Sequence, residues 1–158
     1  MQCIKNCLFR LRRYIPLLAN LTGMKKTLYS GLIAGAVLFI LSYGGLYLAV
    51  HFFPGIFVEY NNPLFNSDGS RDILFYLHAF IISLALAWFW DRFKGLFEGP
   101  FILRGLEFGF VYAIVSLVPV MWITFSALDI TVLMVLSWFI YGFVQAVIAG
   151  LVFARLNP

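Results

Sequence analysis

Charged residues are sparse in this chain, and the gaps between them set its architecture. Four apolar windows stand out: 27–58 between Lys26 and Glu59, 73–90 between Asp72 and Asp91, 108–128 between Glu107 and Asp129, and 130–154 between Asp129 and Arg155. A helix crossing a bilayer needs about 20 predominantly apolar residues. The second window is the shortest, and it reaches across once its flanking charges snorkel outward. Turn-forming residues punctuate the gaps: Pro54-Gly55, Asn61-Asn62-Pro63, Asp68-Gly69-Ser70 and Gly99-Pro100. The pattern therefore predicts spans at 29–53, 72–91, 103–126 and 130–154. Pro119 falls inside the third, where it should kink the helix without ending it.

Residues 1–23 follow a different rule. They contain no acidic residue, and Ile4, Leu8, Leu11, Ile15 and Leu18 recur at helical spacing while Lys5, Arg12 and Arg13 lie off that stripe. This is the pattern of a basic amphipathic helix lying in the membrane interface against anionic lipids, ending near Ile15 because of Pro16. Two other readings remain open. An Arg-rich, acid-free start also suits an organellar targeting segment. Met24-Lys25-Lys26-Thr27 resembles a bacterial start, which would make 1–23 an extension ahead of a 24–158 transmembrane domain.

The first and third spans share a pattern. Gly31-Leu32-x-x-Gly35-x-Val37-x-x-Ile40-x-Ser42 matches Gly105-Leu106-x-x-Gly109-x-Val111-x-x-Ile114-x-Ser116. The second and fourth match more weakly, through Leu77-His78-Ala79-Phe80-Ile81 and Leu136-Ser137-Trp138-Phe139-Ile140. Both halves begin on the same side, so the expected fold is an all-α bundle of two parallel-repeat helix hairpins. Every span also carries small residues four apart: Gly31/Gly35, Ala79/Ser83/Ala87, Gly105/Gly109/Ala113 and Gly142/Ala146/Gly150. Lipid supplies no hydrophobic drive between helices, so these stripes predict close backbone packing within the bundle or at a dimer face.

Composition agrees with the pattern. Of 158 residues, 63% are hydrophobic and 11% charged, against roughly a quarter charged in ordinary soluble domains. The length leaves no room for a separate soluble catalytic domain. The net charge of +4 is carried beside the spans, so lipid headgroups explain it better than nucleic acid does. With the N-terminus inside, Arg71 is the only one of 11 basic residues outside. That bias predicts a multi-pass inner-membrane protein with both termini cytoplasmic. Cys3 and Cys7 precede the first span and make no disulfide framework.

Candidate chemistry is thin. His51 and His78 are the only histidines, and an outer loop joining their helices would bring them to similar depth. They are candidates to share a haem b iron or a metal, although hydrogen bonds to the loop acceptors Glu59, Asn61, Asn62, Asn66 and Asp68 explain two lone imidazoles more simply. Tyr43, Tyr47 and His51 stand four residues apart, as do Ser137, Tyr141 and Gln145, so each set forms a polar stripe. Such stripes suit a solute path or a quinone pocket, and suit interhelical hydrogen bonds better, since neither contains a charge. Glu107, three residues after Arg104, is a candidate coupling carboxylate and more simply a rim ion pair with Arg104, Arg92 or Lys94. Trp88 and Trp90 before Asp91-Arg92 read as an interfacial aromatic belt, Trp122 as its outer counterpart, and Trp138 as packed inside. No nucleophile–base pair, phosphate loop, CxxC or HExxH motif occurs. The expectation is a non-enzymatic accessory or scaffold subunit or a homodimer, with no cofactor. The alternatives are a small-solute or ion transporter and a haem- or quinone-linked electron carrier.

Overall fold

The computed structural model describes the backbone of residues 2–61, 65 and 69–158, and side chains from residue 23 onward except those of 56, 57, 59 and 61. The chain is an all-α membrane bundle, with four helices long and apolar enough to cross a bilayer among the described residues. α1 (Gln2–Phe52) is followed by a short α2 (Pro54–Phe57) and a 3-10 turn (Val58–Asn61). Then come α3 (Asp72–Phe93), α4 (Phe101–Tyr112), a π-helical segment (Ala113–Leu117), α5 (Val118–Ala127) and α6 (Val132–Leu156). The crossing segments are Gly23–Phe52, Asp72–Leu96, Phe101–Ala127 and Val132–Leu156.

The helix boundaries have local causes. Gly99 takes φ +95°, which a side chain would strain, and Pro100 then caps α4 in extended conformation. Thr131 caps α6, its hydroxyl accepting from Met134 N–H at 3.3 Å. One proline expectation changes. α1 is helical without a break from Gln2 to Phe52, so it does not stop near Ile15. A proline inside a helix removes one backbone hydrogen bond, and the helix here tolerates that loss. The amphipathic face of residues 1–22 lies outside the described side chains. Pro119, which has no N–H, is met by the π segment, where Val118 N–H reaches back five residues to the Ala113 carbonyl.

Glycines set the helix pairs. An added Cβ at Gly31 would lie 3.0 Å from Leu84 Cδ2 and 3.1 Å from Ala87 Cβ, and one at Gly35 would lie 2.7 Å from Ser83 Oγ. Gly105 and Gly109 meet α6 the same way, with added Cβ atoms 2.8 Å from Leu151 N and 3.2 Å from Val147 Cα. An added Cβ at Gly150 would lie 2.8 Å from the Gly105 carbonyl oxygen, and one at Gly142 would lie 2.9 Å from Leu117 Cδ2. Ala146 is fully buried. The chain thus forms two antiparallel hairpins, α1 with α3 and the α4–α5 span with α6. α6 also lies against α1.

The core sits at the end of the bundle that carries Lys25, Lys26, Arg92, Lys94, Arg104 and Arg155, called here the basic end. Trp90 stacks on Phe97 (centroids 5.4 Å apart, planes 10°) and meets Phe108 edge-on at 5.4 Å. Phe153 closes the cluster. Trp90 is therefore core, contrary to the belt reading, because Ala79, Ser83, Leu86 and Ala87 turn that face of α3 inward. Trp88 is exposed beneath Arg92, whose guanidinium lies 5.5 Å from the ring centroid, and Trp122 is exposed, as a belt requires. Trp138 is half-buried, not enclosed.

Candidate functional site

Three polar groupings form, and each sits where a helix face brings it. The first lies midway along the bundle. Ser42 extends the inward face of Gly31, Gly35 and Leu38 by one turn of α1. Its hydroxyl accepts from Tyr141 O–H at 2.7 Å and from Gln145 Nε2 at 3.3 Å. Gln145, almost wholly buried, thus finds its partner on α1. Tyr141 and Gln145 act as a latch between hairpins. Ser137 turns instead to its own helix, donating to the Met134 carbonyl at 2.7 Å.

The second grouping lies at the opposite end, where the α1–α3 connection crosses (the loop end). Tyr43, Tyr47 and His51 line an open groove of about 420 Å³ together with Leu46, Val50 and Pro54. Neither phenol hydroxyl has a hydrogen-bond partner among the described residues. The two polar stripes therefore do not merge: one faces into the bundle and the other faces out. His51 lines the groove edge-on to Phe52 (5.3 Å), whereas His78 is exposed on α3 and does not line it. No group of three metal-ligating side chains occurs among the described residues. Of the acceptors expected to hold the imidazoles, the side chains of Glu59, Asn61, Asn62, Asn66 and Asp68 lie outside the described residues. Nearby, Trp138 Nε1 donates to Tyr60 O–H at 2.6 Å, and Phe65 packs beside both rings, fastening the loop to α6.

The third grouping caps the core at the basic end. Trp90 Nε1 donates to the Asn157 carbonyl at 2.8 Å. Lys94 Nζ donates to Asn157 Oδ1 at 2.7 Å and lies 3.4 Å from Asp91 Oδ1, which also accepts from Asn157 Nδ2 at 3.3 Å. Arg104 lies over Trp90, 5.2 Å from the ring centroid, and donates to the Lys94 carbonyl at 3.4 Å. This corrects the expected Arg104–Glu107 pair. The indole draws Arg104 inward, while Glu107 sits on the exposed side of α4 with no ion pair among the described residues. The rim pair is Lys94–Asp91.

Sequence reasoning passed over Ser42, Trp90 as core, and Asn157. The first two had a signal, since each continues a stripe of small inward residues by one helical step. Asn157 had none, lying beyond the last helix. Comparison with family models, curated proteins and solved structures finds no match to this chain.

Proposed function

We propose that the chain is a non-catalytic membrane subunit that works by association, with a second copy of itself or with a larger membrane protein. One observation carries this reading: much of the loop half of the first and third spans is left without close packing. From Phe39 to Phe52 α1 buries no residue, and α5 buries none at all. Membrane helices are held by close van der Waals contact, so faces that lack it are free for another protein. The interior latch supports the same reading, because Tyr141 and Gln145 are occupied with Ser42. The charge bias favours cytoplasmic termini. Gentle purification from native membranes, with co-purifying chains identified by mass spectrometry, tests the proposal. A stoichiometric companion or a discrete homodimer supports it. A monodisperse single chain at native membrane concentration overturns it.

A second reading, a small-solute or ion transporter built from parallel repeats, is favoured by the register of the contacts. The shift that takes Gly31 and Gly35 to Gly105 and Gly109 pairs the first helices of the two hairpins. A second shift takes their contacts Leu84 and Phe80 to Leu151 and Val147. That same shift carries all five buried residues of α3 onto buried ones: Ala79, Ser83, Leu86, Ala87 and Trp90 onto Ala146, Gly150, Phe153, Ala154 and Asn157. This register lies about two turns from the Leu77–Leu136 match suggested by composition, and it supports a duplicated hairpin. Flux assays in proteoliposomes separate the two readings.

A further inference from the structure

We propose that the groove at the loop end of α1 binds one amphiphile that carries a neutral carbonyl-bearing head on an apolar tail. Four observations combine. The open groove offers about 420 Å³, a volume in the roughly 300–1,000 Å³ range of small-ligand sites. Leu46 and Val50 give it an apolar floor. Tyr43, Tyr47 and His51 place two phenols and an imidazole on one face over about 12 Å of helix. Tyr43 and Tyr47 are 58% and 70% exposed, and their hydroxyls meet no acceptor among the described residues.

The chemistry of the lining selects the head group. Phenol and imidazole N–H or O–H groups donate to carbonyl oxygens, and the rings offer flat faces to a conjugated one. Phosphate recognition relies on Arg or Lys, and the lining has neither. A carbonyl acceptor therefore fits the lining better than a phosphate group does. The groove opens at the outer end of a crossing helix, so the tail runs beside Leu46 and Val50 into the hydrocarbon. The groove lies on the open face of α1 between Phe39 and Phe52, so the amphiphile and a protein partner seated on that face would compete for it.

The test uses purified full-length protein in detergent, incubated separately with decylubiquinone and with phosphatidylglycerol, and read by native mass spectrometry. The expected result is one saturable decylubiquinone adduct per chain. Tyr47→Phe and His51→Leu should each weaken it by roughly two- to tenfold, the worth of one hydrogen bond. Tyr29→Phe, at an exposed tyrosine of the basic end, should leave it unchanged. All three positions are exposed, and elution at the wild-type size confirms that each variant is folded. Absence of a saturable adduct, equal binding by the groove variants, or tighter binding of phosphatidylglycerol would overturn the proposal.

Discussion

Within α1, the stretch from Ser30 to Leu38 buries Ser30, Gly31, Ala34, Gly35 and Leu38, while the next fourteen residues bury none. The same contrast runs through the bundle. α4 buries Gly105, Phe108 and Gly109, and α5, its continuation past the π segment, buries nothing. What separates the two halves is whether their small residues fall on surfaces that face another helix. Glycine, alanine and serine let backbones approach at the basic end, and four aromatic rings fill the remaining volume there. At the loop end of α1, Tyr43, Tyr47, Leu48 and Phe52 face outward, and Gly44 and Gly45 meet no neighbouring helix among the described residues. In lipid, apolar surface alone does not bring helices together, and only fit does.

The largest effect should come from filling a glycine contact. Gly109→Leu and Gly105→Leu force a side chain into α6 backbone and should cost at least the 1–3 kcal/mol or so typical of overpacking. Thermal unfolding in detergent, followed by size-exclusion chromatography, should show loss of the folded species well below the wild-type midpoint. Ala146→Leu should behave alike. Ile114→Leu, on a surface 68% exposed, should leave the midpoint unchanged. Val135 would be a poor control, since it lines a shallow groove between α5 and α6. Equal tolerance at all these positions would break the comparison.

The cap of the basic core should come next. Trp90→Phe keeps the ring but strands the Asn157 carbonyl and removes the surface under Arg104, at a cost of about 1–3 kcal/mol. Asn157→Ala should destabilise less, because Lys94 and Asp91 still pair with each other. If Trp90→Phe melts as wild type does, the cap is ornamental and the glycine contacts alone hold that end.

The latch at the boundary between halves should matter least. Gln145→Leu and Ser42→Ala should each cost about 0.6 kcal/mol, the usual value for an interhelical hydrogen bond in lipid. Their double variant should be less than additive, since both remove one contact. Additive losses would show that Gln145 has another partner. His51→Ala and His78→Ala should each change stability even less and leave the visible absorbance of the purified protein as it was. A haem band lost in both variants would make electron transfer the leading reading.

Much of this fold was legible because membrane insertion depends on a coarse quantity, the spacing of charges. The expected spans fall within the observed crossing segments except at 53, one residue past the end of α1, and at 130 and 131, just ahead of α6. The glycine stripes were legible for a steric reason, since only a missing Cβ permits the Gly105–Gly150 approach. The fate of single polar residues was not. Tyr43 and Tyr141 look alike as members of four-residue stripes, yet one faces out and the other bonds Ser42. That difference depends on how the hairpins rotate against each other, which no single helix encodes. Arg104 and Glu107 likewise look like a pair until the position of Trp90 is known.

The central claim, that the basic half holds the fold while the loop half is left for association, is tested most directly by photo-cross-linking in native membranes. A photoreactive residue would replace Trp122 or Leu74 at the loop end and, as controls, Leu32 or Ile102 at the basic end, all exposed. A discrete protein adduct from the loop-end positions, with none from the controls, is the predicted result. Adducts from the basic end alone, or no protein adduct from any position, would contradict it.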